Sequence, residues 1–152
     1  MNNRIFKTTK ELTPFIQEMI NKDKQVNLTV TGNSMFPLFA HLRDSVTVKK
    51  FNEYKKYDII LYVRNNGDLV LHRIVKVKNN EFYLCGDNQT LIEYPIYPNQ
   101  VIGKVVSFTR KGKVYDFNSF LSMFYARFWV LSLKIRKPLL IFALKIWRII
   151  KK

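Results

Sequence analysis

Two side chains stand where their types and settings could do chemistry. Ser34 lies in Thr31-Gly-Asn-Ser-Met-Phe-Pro-Leu38, directly after a segment with strand alternation. Gly32 permits a tight or positive-φ backbone, and Pro37 stiffens the exit. A serine on a constrained turn at a strand end is exposed, and its neighbouring N–H groups are free to bind an oxyanion. His72 lies in Leu69-Val-Leu-His-Arg-Ile-Val-Lys-Val77, the longest strand candidate. Imidazole, with an ordinary pKa of about 6.5, can take a serine proton near neutral pH. Separately, each has a plainer reading: Ser-x-x-Pro is a common turn, and a strand histidine is commonly a half-buried, hydrogen-bonded residue.

The elements that would hold this pair fall into three zones. Residues 8–22 read as a short amphipathic helix. Thr8-x-x-Glu11 is a capping-box pattern, and Leu12, Phe15, Ile16, Met19 and Ile20 share one face. Residues 26–116 read as short strands: 26–30, 45–49, 59–63, 69–77, 81–85, 101–108 and 114–117. Asn65-Asn66-Gly67-Asp68, Lys78-Asn79-Asn80 and Arg110-Lys111-Gly112-Lys113 supply the turns. Many short strands with close turns predict a mainly β fold, an antiparallel barrel or curled sheet. The division follows: residues 1–117 form the domain that carries Ser34 and His72, and 118–152 form a tail.

The tail has eight Lys/Arg and no acid, and is otherwise dominated by apolar residues. Pro138 divides it into two helices. At ~100° per residue, Arg127, Lys134, Lys145, Arg148 and Lys152 gather on one stripe, with Arg136 opposite as the exception. Basic amphipathic helices with Trp129, Trp147 and Tyr125 suit a membrane interface and anionic lipid. The competing readings are a helical cap packed on the core or on a second copy, and a membrane hairpin, against which Lys134, Arg136 and Lys137 count.

The whole chain is 47% hydrophobic and 24% charged over 152 residues, enough for a core, so disorder is excluded. Its net charge of +15 calls for a polyanionic partner. Lipid is preferred, because no nucleic-acid motif with aromatics interleaved on strands is present. The expected location is peripheral on a membrane, with the cytoplasmic face as the working side. No run of about 18 uncharged apolar residues predicts a span, and no apolar stretch follows Met1 as in a secretory leader. One cysteine, Cys85, excludes an internal disulfide and a cysteine-rich metal site. It reads as a small buried apolar residue; no metal or cofactor is expected. His41 reads as a surface loop residue, and Asp44 and Asp58 as turn or strand-entry acids.

Six segments in order resemble the type I signal peptidase/LexA-like serine peptidase clan. Gly-Asn-Ser34-Met35-Phe-Pro37 is similar to the Gly-x-Ser-Met-x-Pro box. Arg43-Asp44-Ser-Val46 is similar to the Gly-Asp-x-Val step, with Arg43 replacing the usual Gly. Lys56-Tyr57-Asp58-Ile59 resembles the Val-Gly-Asp-Ile strand entry, and Leu71-His72-Arg73-Ile74-Val75 the His-Arg-Ile-Val strand. Cys85-Gly86-Asp87-Asn88 resembles the Lys-Gly-Asp-Asn turn, and Val101-Ile102-Gly103-Lys104-Val105 the closing strand. The resemblance covers residues 26–108. His72 stands where lysine-dyad relatives carry Lys, which is similar to the subgroup of endoplasmic reticulum, archaea and sporulating bacteria that uses a His base.

The resemblance implies the roles. Ser34 is the nucleophile and His72 the base, and Gly32, Asn33, Met35 and Pro37 shape the binding loop. Asp87 is the acceptor that orients the imidazole, ranked above Glu93 because Gly86-Asp87-Asn88 is the better match. Gly32 sits where signal peptidases often carry a Ser oxyanion donor; this Gly is more like the LexA branch. The implied reaction is cleavage of a peptide or protein precursor beside small, uncharged residues at a membrane surface. Two alternatives stay open: a non-catalytic lipid- or partner-binding module on the same barrel, and a self-cleaving LexA-like regulator. The 25 residues before Val26 are too few for a helix-turn-helix domain, which counts against the latter.

Overall fold

The computed structural model describes residues 9–136. The elements run α1 (Thr9–Asn21), β1 (Val26–Thr29), β2 (Asp44–Lys49), β3 (Ile59–Val63), β4 (Leu69–Lys78), β5 (Glu81–Cys85), β6 (Glu93–Ile96), β7 (Val101–Arg110), β8 (Lys113–Asp116) and α2 (Phe120–Leu131). All strand pairings are antiparallel, in the order β1-β2-β7-β3-β4-β5-β6, with β8 paired to β7. The fold is mainly β, an open curled sheet with short helices, as the strand-and-turn pattern predicts. Bulges interrupt the ladders at Thr47/Val48, Leu61/Tyr62 and Ile74/Lys76. Each adds local twist and bends its strand, which helps the sheet curl.

Alternation along β3 sends Ile59 and Leu61 into one apolar cluster and Ile60 and Tyr62 into a second. A strand buried on both faces needs a continuous apolar run, which Ile59-Ile-Leu-Tyr-Val63 supplies. The first cluster includes Val46, Val48, Val105 and Phe108 under α1; the second joins Ile74, Phe82, Leu84 and Ile96. Each fully buried Ile or Leu contributes about 1.5–3 kcal/mol.

Two sequence expectations change. The face of α1 that enters the core is Thr13, Ile16 and Ile20, whereas Phe15 is 59% and Leu12 38% exposed. The stripe is narrower than the apolar set on the helix. Strand β6 was not predicted: Pro95 sits inside it, and proline removes a ladder donor. It is tolerated because β6 is an end strand, paired only to β5. Thr8 of the capping-box pattern, and the expectations for Pro138, Lys145, Trp147, Arg148 and Lys152, lie outside the described residues.

Candidate functional site

The loop that carries Ser34 spans the gap between β1 and β2 and is tied at both ends. Val30 N–H donates to the Asp44 carbonyl at 2.9 Å, and Leu42 N–H to the Val30 carbonyl at 2.8 Å. Asp44, 1% exposed, accepts Ala40 N–H at 3.0 Å and the guanidinium groups of Arg43 and Arg110. Burial alone would raise its pKa, but those bonds hold the carboxyl well below the usual range. Arg43, the departure from the family's Gly, is thus one of its two cationic partners. Gly32 has φ +85°, and its N–H donates to His41 Nδ1 at 2.9 Å. His41 is an exposed loop residue, as expected, and in addition fixes this bend.

Ser34 and His72 line one cleft of about 230 Å³, together with Met35, Arg64, Leu71 and Gln89. No hydrogen bond joins Ser34 to His72. Met35 is 2% exposed and is also a core residue. Gly32, Asn33 and Pro37 shape the loop but are not in the cleft wall. The Asn33 carbonyl accepts Phe36 N–H at 3.1 Å, which closes the turn over Ser34.

His72 is 1% exposed. Its Nδ1 lies 3.2 Å from Glu93 Oε1 and 3.3 Å from the Tyr62 hydroxyl. Tyr62 donates to Glu93 Oε2 at 2.8 Å, so its oxygen is free to accept a proton held on Nδ1. Arg64 binds Glu93 through both Nε and Nη2. Burial would raise Glu93, but the bonds from Arg64 and Tyr62 and the charge of His72 hold it below its ordinary pKa. Burial pushes His72 down to about 4, against the upward pull of Glu93. The imidazole is therefore neutral at pH 7.

Asp87 does not stand beside the imidazole ring as the preferred orienting group. Arg73 holds it through two bonds, Nε to Oδ1 at 2.9 Å and Nη2 to Oδ2 at 2.8 Å, with both side chains 1% exposed. The physical reason is strand alternation. Successive β4 residues face opposite sides, so His72 and Arg73 diverge. Tyr62 shares the His72 side as a diagonal cross-strand neighbour, since Tyr62 pairs Val70 and Ile60 pairs His72. Glu93, on the unpredicted strand β6, arrives through its pairing with Leu84.

The Asp87 turn nevertheless touches the loop that carries Ser34. Asn88 N–H donates to the Ser34 carbonyl at 2.7 Å. A Cβ at Gly86 would lie 2.6 Å from the same oxygen, so only glycine fits there. Cys85 is 2% exposed, and burial pushes its thiol up to about 11.

The same turn receives α2. Trp129 Nε1 and Arg136 Nη1 both donate to the Asp87 carbonyl at 2.9 Å, and the Tyr125 hydroxyl reaches Asp87 Oδ2 at 3.4 Å. Tyr125 and Trp129 rings stack at 5.3 Å, with Arg73 over the Tyr125 ring at 5.6 Å and Arg136 over the Trp129 ring at 4.4 Å. Arg136, the exception to the basic stripe, is 5% exposed, and burial lowers its pKa. That irregularity was its signal. Tyr62 and Arg64 gave none beyond their place in an apolar run and at its end.

Among the described residues no three His, Cys, Asp or Glu side chains converge as metal ligands. No helix among them is long and apolar enough to cross a membrane. A family profile described as Peptidase S24-like matches residues 3–106. No curated protein sequence matches the chain.

Proposed function

Since this chain belongs to the Peptidase S24-like family, of the LexA/signal peptidase clan, we propose that it is a serine endopeptidase with Ser34 as nucleophile and His72 as base. The family match supports serine peptidase or LexA-like self-cleavage chemistry. The observation that favours this dyad is the cleft shared by Ser34 and a buried, neutral His72 whose Nδ1 is already engaged.

Ser34 Oγ attacks the scissile carbonyl and passes its proton to His72 Nε2. Glu93, beside Nδ1, stabilises the imidazolium and keeps the Nδ1–H tautomer in place, with Tyr62 as a second acceptor. The Ser34 N–H is a donor for the tetrahedral oxyanion. Collapse gives the proton on Nε2 to the leaving amine and leaves an acyl-Ser34 ester. Water, deprotonated by His72, hydrolyses that ester and restores both groups. A small, uncharged side chain beside the cut is what the clan resemblance implies. The substrate is a peptide or protein precursor presented at a membrane surface, and residues 118–152 provide the attachment.

The test is cleavage of a peptide library with small residues at the cut, read by mass spectrometry. The wild type is expected to cleave, and Ser34→Ala and His72→Ala to be inactive. Full cleavage by Ser34→Ala overturns the assignment. Conversion of the chain itself into two fragments at alkaline pH, with library peptides untouched, favours the self-cleaving regulator.

A further inference from the structure

Helix α2 is apolar on two faces. The docked face carries Tyr125, Ala126 and Trp129, with Arg136 one turn beyond the helix. At ~100° per residue, a second face gathers Phe120, Leu121, Phe124, Phe128 and Leu131, and Ile135 continues it beyond the helix. These six are 57–77% exposed. A helix apolar on both faces buries both, so the outer one calls for a partner. Arg127 and Lys134 run along one flank of that outer face, and both are exposed.

On the Arg127 flank a cleft of about 350 Å³ separates α2 from the sheet. Its wall includes Lys55, Lys56, Lys104 and Arg127, with Phe51 and Met123 as apolar members. Asp58 is its one carboxylate, and both of its oxygens are 3.4 Å from Lys104 Nζ. Among the described residues no carboxylate pairs with Lys56 or Arg127. Met123 lines the cleft and is 44% exposed, so the apolar outer face and the basic cleft adjoin.

We propose that α2 and this cleft together form a site for anionic phospholipid. The outer face of α2 enters the acyl region, and the headgroup phosphate sits in the cleft between Lys56, Lys104 and Arg127. This rests on the reading of residues 118–152 as the membrane contact, and adds the face, the pocket and the lipid charge. Charge complementarity selects the occupant: the chain carries +15, and no acid follows Asp116.

The experiment uses full-length Ser34→Ala protein and vesicles of phosphatidylcholine, with or without phosphatidylglycerol. Cosedimentation is expected with the anionic vesicles only. The pair Lys56→Glu/Arg127→Glu is expected to weaken it by about tenfold or more, given about 1 kcal/mol per basic residue at a surface. The pair Lys78→Glu/Lys111→Glu makes the same charge change away from the cleft and is expected to cost under about threefold. Equal losses for both pairs overturn the headgroup site in favour of bulk charge. Phe124→Ser/Phe128→Ser is expected to abolish binding while leaving Tm unchanged. A fall in Tm means that the outer face is covered within the chain, and loss of a wild-type dimer means that a second copy covers it; either result overturns the lipid assignment. Soluble glycerophosphate competing as well as vesicles at equal phosphate overturns it in favour of a free ligand. Cleavage of a soluble peptide by the wild type is read separately, so failure of the peptidase reading is distinguishable from failure of this one.

Discussion

His72 Nδ1 and Glu93 Oε1 lie 3.2 Å apart, though the residues come from strands two places apart in the sheet. In the proposed dyad, that proximity gives the orienting role to Glu93. Asp87 is spent on Arg73. Glu93→Gln is expected to lower kcat by about 10²-fold or more, because tautomer control is lost, with a smaller fall in Tm as Arg64 loses its carboxylate partner. Asp87→Asn is expected to act first on stability, since it leaves Arg73 buried without its anion. Steady-state kinetics and thermal melts on both variants check this; the reverse pattern restores Asp87 as the orienting group.

The pH dependence follows from burial of His72. Its pKa is pushed down from 6.5 to about 4 in the fold. Activity on a soluble peptide is expected to rise with pH through about 4 and to be level near 7. In the unfolded chain the group titrates at its ordinary value, so the unfolded state binds the extra proton between pH 6.5 and 4. Stability from this group is complete above about 6.5 and is lost as pH falls to about 4, by about 3 kcal/mol. Glu93, held below its ordinary pKa, has the same sign: its contribution is lost on acidification. Urea unfolding across pH checks the slope, which His72→Gln is expected to flatten.

Gly86→Ala tests the contact between the Asp87 turn and the loop that carries Ser34. The added Cβ meets the Ser34 carbonyl at 2.6 Å, inside any tolerated contact. Displacing Ser34 by 1 Å costs about 10²-fold in kcat. The expected result is a kcat loss of about 10²-fold beside a stability change of about 1–3 kcal/mol. An unaltered kcat would show that the turn does not position Ser34.

Trp129→Phe removes one hydrogen bond to the Asp87 carbonyl and keeps the stack on Tyr125. It is expected to cost about 1 kcal/mol in chemical denaturation. Arg136→Ala removes a second bond to that carbonyl and a cation over the indole. If the turn couples α2 to Ser34, both variants lower kcat more than they raise KM. Unchanged kinetics with lowered Tm would make α2 a cap without influence on the site.

How much was legible depends on the range of the interaction. Ser34 and His72 stood out because six segments in order resemble the peptidase clan; the Gly-x-Ser-x-x-Pro turn and the alternating strand, each alone, read as plain structure. Seven of the eight strands were visible from local patterns; β6 was masked by Pro95, which an end strand tolerates. Local patterns in the chain suffice for a mainly β fold, a serine on a turn and a basic, apolar tail. Tertiary structure decided which acid meets the imidazole, because β4 alternation, the β3–β4 register and a cross-sheet pairing act over tens of residues. It also decided that Arg136 turns inward on the Asp87 carbonyl while six apolar side chains of the same segment face out, since helical periodicity gives the faces of α2 but not which one the core will cover.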